Sequence, residues 1–245
     1  MVEYKRPINY SMPSQCGIYP PPPYTYPKMR SMVALFQVEK EIKKQFLPPD
    51  FEPLDLFDAI FIVEYPNSTI GPYNENLILL SCMYKNKPGL FVFNIYVDSD
   101  IALTAGREIW GYPKKLCKID LSPIENNTVT GSLTRMGVKF LDVQIELTDR
   151  PTGMDISKLI QSLPIYNVKL IPNVDGSSTP ALRQITETIL GFGQEYKNNG
   201  AKTIYIKSQL SEFDICDELL KNSKKDLGGF YIECDMTLPP GRILE

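Results

Sequence analysis

Lys114 and Lys115 stand in the run Gly106-Arg107-Glu108-Ile109-Trp110-Gly111-Tyr112-Pro113-Lys114-Lys115-Leu116, with aromatic residues and proline on one side and leucine on the other. A lysine amine is a nucleophile only after it has lost its proton. A hydrophobic pocket or a second nearby cation brings that about near neutral pH. A free lysine titrates near ~10.4, so one that reacts near pH 7 has given up about 4 kcal/mol of preference for the proton. The run offers both apolar neighbours and an adjacent cation. For an arbitrary lysine pair the alternative is a solvated strand edge, since lysines are rarely buried.

The longer pattern carries more than the pair does. Gly106-Arg107-Glu108, a short spacer and Tyr112-Pro113-Lys114-Lys115-Leu116 resemble the active-site segment of acetoacetate decarboxylases. Lys169-Leu170-Ile171-Pro172-Asn173-Val174-Asp175-Gly176-Ser177 resembles a second segment of that family, and Gly71-Pro72-Tyr73-Asn74-Glu75 resembles the one that carries its pocket glutamate. The three matches come in the family's order, and weaker similarity runs from about Ser11 to Ile189.

The resemblance implies a cofactor-free lyase that forms a Schiff base with a keto acid and decarboxylates it. The substrate would be acetoacetate or a larger β-keto acid. By position, Lys114 matches the Schiff-base residue, Lys115 its neighbour and Glu75 the pocket carboxylate. In an extended segment Lys114 and Lys115 point to opposite faces. Desolvation, more than repulsion from Lys115, is therefore expected to free the Lys114 amine, and an ion pair at a subunit contact is the alternative role for Lys115. Arg30 is the candidate for the family's carboxylate-binding arginine, offset by one residue. Guanidinium suits that task by its bidentate geometry, but one residue of slip in a strand reverses the face. The family's second pocket glutamate falls on Ile60, which makes the pocket less acidic and opens it to larger, less polar keto acids. Trp110, the only tryptophan, is expected to alter the pocket wall or to serve packing. Two rival readings remain: a Schiff-base aldolase or dehydratase acting on α-keto acids and aldehydes, and a non-catalytic barrel that binds an apolar ligand.

Composition narrows the chemistry. The chain has no histidine, which removes the commonest general base and metal ligand. Acid–base work then falls to Glu, Asp, Lys or Tyr. Cys16, Cys82, Cys117, Cys216 and Cys234 form no CxxC unit, so neither a zinc site nor a disulfide framework is expected. A net charge of −3 without a long basic run argues against nucleic-acid and anionic-membrane partners. No apolar leader or membrane-length segment is visible, and a cytoplasmic location is expected.

The elements that must position these residues read mainly as strands. At 245 residues the chain suits one large domain, with residues 1–30 as a Pro-rich arm. Strands are expected at Ser31–Val38, Ala59–Tyr65, Asn76–Tyr84, Leu90–Val97, Lys115–Leu121, Thr128–Arg135, Val138–Thr148, Tyr166–Ile171, Arg183–Gly191 and Lys202–Gln209. Short helices are expected at Glu39–Phe46, Ile101–Ile109 and Phe213–Leu220. Nine or more strands without a βαβ rhythm favour an antiparallel barrel or sandwich. The resemblance sharpens this to a closed, cone-shaped antiparallel β-barrel with minor α content, the lysine inside, assembled as a homo-oligomer.

Overall fold

The computed structural model describes residues 10–149, 156–209 and 216–245. Chain order begins with β1 (Tyr24–Val38), α1 (Lys40–Lys43), β2 (Glu52–Pro53), β3 (Asp58–Tyr65), β4 (Tyr73–Tyr84) and β5 (Lys87–Val97). Next come α2 (Asp100–Ala105), a π-helical turn (Gly106–Trp110), β6 (Lys114–Leu116), β7 (Lys118–Leu121), β8 (Thr128–Arg135) and β9 (Val138–Leu147). The chain continues through α3 (Ile156–Ser162), β10 (Ile165–Ile171), β11 (Leu182–Thr188), β12 (Gly191–Ser208), α4 (Cys216–Lys221), β13 (Ser223–Leu238) and β14 (Arg242–Ile243). Residues 1–9 of the expected arm, and the start of the helix expected at Phe213–Leu220, lie outside the described residues.

Most of the expected strands are present within a few residues. The arm is shorter than expected, because β1 already begins at Tyr24, paired with Leu238 of β13. β13 itself went unread in the sequence. Its start, Lys224-Lys225-Asp226-Leu227-Gly228-Gly229, has the look of a charged loop. The glycine has a packing reason: a Cβ on Gly229 would lie 2.0 Å from the Val33 carbonyl oxygen on the neighbouring strand.

All the strands belong to one sheet, in the order β14-β11-β10-β5-β4-β3-β1-β13-β12-β9-β8-β7, with β2 beside β4 and β6 beside β5. Two features depart from a closed antiparallel barrel. The hydrogen-bonded path has ends at β14 and β7, and these do not pair among the described residues. The pairs β5–β10 and β5–β6 are parallel. Parallel neighbours need a crossover rather than a tight turn. The α2–π turn segment supplies one for β6, and the long connection from β9 through α3 leads to β10.

Alternation along the central strands sorts the core into two. Val33 and Leu35 of β1, Val63 of β3, Leu79 of β4 and Phe230 and Ile232 of β13 pack into one cluster. Met32, Ala34, Phe36, Ile60, Ile62, Ile78 and Tyr231 face the other. Each fully buried aliphatic side chain contributes about 1.5–3 kcal/mol, so the register of these strands is strongly fixed. A one-residue slip would exchange the two sets. The first cluster surrounds the cavity described next.

Candidate active site

Glu75 reaches the cavity through a hairpin. β3 and β4 pair so that Tyr65 lies opposite Tyr73 and Val63 opposite Glu75. On β4, Tyr73, Glu75, Leu77 and Leu79 share the inward face, as period-2 geometry requires, and all four line the cavity.

Lys114 arrives by a more constrained route. Ser99 caps α2, its Oγ accepting from the Ala102 amide at 3.3 Å. Beyond Ala105 the helix widens into the π turn and stops at Gly111, whose φ of 81° is left-handed. Pro113 then turns the chain into β6, where Lys114 pairs with Ile95 of β5. The turn is tied down from several sides. The Tyr112 amide donates to the Gly106 carbonyl at 3.0 Å, and Arg107 Nη1 donates to the Lys114 carbonyl at 3.2 Å. Lys169 Nζ donates to the Ile109 carbonyl at 3.3 Å. Tyr19 OH donates to Glu108. Arg107 and Glu108 thus hold different partners around the turn that aims Lys114.

Gly106 gives the lysine stem its path. A Cβ there would sit 2.5 Å from Lys114 Cδ and 2.6 Å from Cε. At Gly111 a Cβ would meet Lys169 Cβ at 2.3 Å, so the motif around Lys169 acts as a backstop for the loop.

Lys114 and Glu75 are 5% and 6% exposed. Lys114 Nζ donates to Glu75 Oε2 at 2.6 Å, and Tyr65 OH donates to Glu75 Oε1 at 3.2 Å. The amine lies 5.6 Å from the Tyr73 ring centroid and 5.9 Å from that of Tyr112, within reach of a cation–π attraction. Tyr73 OH donates to Tyr26 OH at 3.2 Å. Burial first, and the Glu75 charge next, push the Tyr65 and Tyr73 phenols well above their usual pKa. Both therefore keep their protons and serve as hydrogen-bond donors. The surrounding cavity encloses about 80 Å³, with Phe61, Leu77, Ile95, Phe230 and Ile232 among its walls.

The other expected site residues lie elsewhere. Lys115 points to the opposite face, its Nζ 5.5 Å from the Tyr96 ring centroid. Ile60 packs in the second core cluster and lines no part of the cavity; the inward residues of β3 are Phe61, Val63 and Tyr65. Trp110 stands behind the wall. Its Nε1 donates to the Pro239 carbonyl at 2.9 Å and its ring stacks on Tyr112, centroids 6.0 Å apart.

Arg30 is also turned away. It pairs with Glu64, and its Nη1 and Nη2 donate to the Ser122 and Leu121 carbonyls at 2.8 and 3.0 Å. The cause is a β-bulge between Tyr26 and Met29, where Lys28 takes a φ of 53°. The bulge shifts the alternation, so Met29 and Ser31 face the cavity and Arg30 does not. Sequence reading missed Tyr26, Tyr65 and Gly106 as parts of the site. The Tyr65–Tyr73 pairing was not legible, because the expected strand began only at Asn76 whereas β4 begins at Tyr73; nor was the closeness of Gly106 to a side chain eight residues on. Among the described residues no group of three or more His, Cys, Asp or Glu side chains converges as for a metal ion.

The sequence model of the family described as "Acetoacetate decarboxylase (ADC)" matches residues 6–245. The chain is 27% identical to "Acetoacetate decarboxylase 1" of Bradyrhizobium diazoefficiens over 99% of this chain and 95% of that protein. To "Acetoacetate decarboxylase" of Chromobacterium violaceum it is 29% identical, over 96% and 94%. The crystal structure of acetoacetate decarboxylase from Legionella pneumophila superposes with a TM-score of 0.87 at 26% identity, covering 97% of this chain and 94% of that one. The enduracididine biosynthesis enzyme MppR, complexed with pyruvate, shares the fold at a TM-score of 0.80 and 18% identity, over 98% and 99%.

Proposed function

The chain belongs to the acetoacetate decarboxylase family, and from that membership we propose that it is a cytoplasmic Schiff-base lyase that decarboxylates a β-keto acid. One observation carries the reading: a lysine and a glutamate 2.6 Å apart, both buried, the one cation and the one anion among the described residues that line a mostly apolar cavity. An ion pair in such surroundings costs more to keep charged than it does in water. Passing the proton from Lys114 Nζ to Glu75 Oε2 leaves a neutral amine and a neutral acid, with Tyr65 still hydrogen-bonded to Oε1.

The amine then attacks the substrate ketone, and loss of water gives a protonated imine. That cation accepts the electron pair released when the bond to the carboxylate carbon breaks. CO2 departs and an enamine remains. A proton returns to the carbon, for which Glu75 is the nearest donor, and water releases the ketone from Lys114. The lysine is itself the electron sink, so the reaction requires no cofactor.

The test is CO2 release from a panel of β-keto acids above their spontaneous rate, with pyruvate as the contrasting α-keto acid. The proposal expects catalysed CO2 release together with formation of the corresponding ketone. Imine formation with pyruvate and no CO2 from any β-keto acid would move the assignment to aldolase chemistry.

A further inference from the structure

Resting on the Schiff-base reading, we infer that the natural substrate is a β-keto acid with an apolar chain of several methylenes on its ketone carbon, where acetoacetate has a methyl group. The one charged pair of the cavity and the phenols of Tyr65, Tyr73 and Tyr26 stand at one end, and Ser31 and Gln161 are polar side chains elsewhere in an otherwise mostly apolar lining. Tyr65 and Lys114 donate to Glu75 there, and Tyr73 donates to Tyr26. From Glu75 the inward face of β4 continues through Leu77 to Leu79. Four residues of strand span about 13 Å. The cavity follows that distance, since it touches Tyr26 and Tyr65 at one end and Leu79, Leu90 and Ile165 at the other. Phe61 stands across from Leu77 on β3, and Phe230 and Ile232 close the β13 side.

A small polar acid would occupy only the Glu75 end. The remaining, mostly apolar wall offers few partners for ordered water, and its side chains would lose contacts a ligand could supply. The charge inventory agrees. Among the described lining residues Lys114 is the one cation and Glu75 the one anion. The guanidinium of Arg30 spends its donors on Glu64 and two backbone carbonyls outside the cavity. Among the described lining residues, a carboxylate here meets no fixed positive charge besides the imine that Lys114 itself forms. Binding energy must therefore come from the apolar chain, while the poorly solvated carboxylate is relieved by leaving as neutral CO2. Overall, the chain-bearing β-keto carboxylate and one proton become the methyl ketone and CO2, and the water lost on imine formation is regained on hydrolysis.

The experiment measures CO2 release by the full chain from acetoacetate, 3-oxohexanoate, 3-oxooctanoate and 3-oxodecanoate. Each buried methylene contributes about 0.8 kcal/mol, close to fourfold. kcat/KM is therefore expected to rise about 16-fold from acetoacetate to 3-oxohexanoate and to go on rising until the chain fills the cavity. Leu77→Trp, which narrows the corridor, is expected to cut the preference for 3-oxooctanoate over acetoacetate by about tenfold or more. If that variant does not fold, the chain-length series on the unmodified protein decides alone. A kcat/KM that is flat, or falls with chain length, overturns this inference and leaves the decarboxylase reading standing. No catalysed CO2 from any of the four acids overturns both.

Discussion

Glu75 accepts a hydrogen bond on each oxygen, from Lys114 on one and Tyr65 on the other, and this division of labour sets the residue-scale expectations. Lys114→Ala should abolish turnover. Lys114→Arg should be equally dead, since guanidinium keeps its proton and cannot attack a ketone. Lys115→Ala should stay active, because Lys115 lies against Tyr96 on the other face of the sheet. Glu75→Gln removes the group that takes and returns the proton, and kcat should fall by about 10²–10⁴. Tyr65→Phe removes one hydrogen bond to the carboxylate and should cost about tenfold or less. The pH dependence adds a check. A phenol raised above its usual value, as burial and Glu75 raise Tyr65, holds its proton throughout the range in which the protein is handled. Tyr65→Phe should therefore scale the pH–rate profile without removing a limb from it. Loss of an alkaline limb in that variant would show that Tyr65 titrates in the working range.

At the scale of the elements, register decides which side chains meet. The Lys114 segment and Glu75 were legible in the sequence because short motifs carry them and a simple hairpin presents one of them. Arg30 and Ile60 were misplaced for the same physical reason, a parity that the sequence does not display. The bulge at Pro27–Lys28 reverses β1 ahead of Arg30, and β3 turns Phe61, not Ile60, toward the cavity. The cavity-facing residues of β3 ahead of Tyr65 are the apolar Phe61 and Val63. Ile60→Glu should accordingly leave substrate preference unchanged and destabilise the fold by roughly 2–7 kcal/mol, as an unpartnered polar group in an apolar layer does. Thermal denaturation and the chain-length series together check this. A shift toward small polar acids in a stably folded Ile60→Glu protein would contradict the placement. Gly106→Ala tests the π turn. The added methyl displaces the lysine stem, and misplacement by an ångström costs about 10²-fold in kcat, with much less effect on folding.

On the scale of the whole molecule, the mainly-β class and most strands could be read from alternation, whereas the sheet's order and its two parallel pairs could not. Those depend on crossovers and on β13, whose glycines and charges concealed a central strand. The second core carries its own buried ion pair. Lys43 Nζ meets Asp58 Oδ1 at 2.7 Å and also donates to Ser81 Oγ and the Leu54 carbonyl at 2.8 Å each. Lys43→Met strands the Asp58 charge and should cost about 3–5 kcal/mol of stability, read from denaturant unfolding. A homo-oligomer is our proposal for the assembled state. Leu116 and Met136 are exposed beside Lys115 around one open groove, and light scattering at micromolar concentration should give a multiple of the chain mass. The central claim, that Lys114 is the nucleophile, is tested most directly by borohydride reduction during turnover of a β-keto acid, followed by peptide mass mapping. The expected result is one reduced ketone adduct on Lys114. An adduct on Lys115, or active turnover that leaves no adduct, would contradict it.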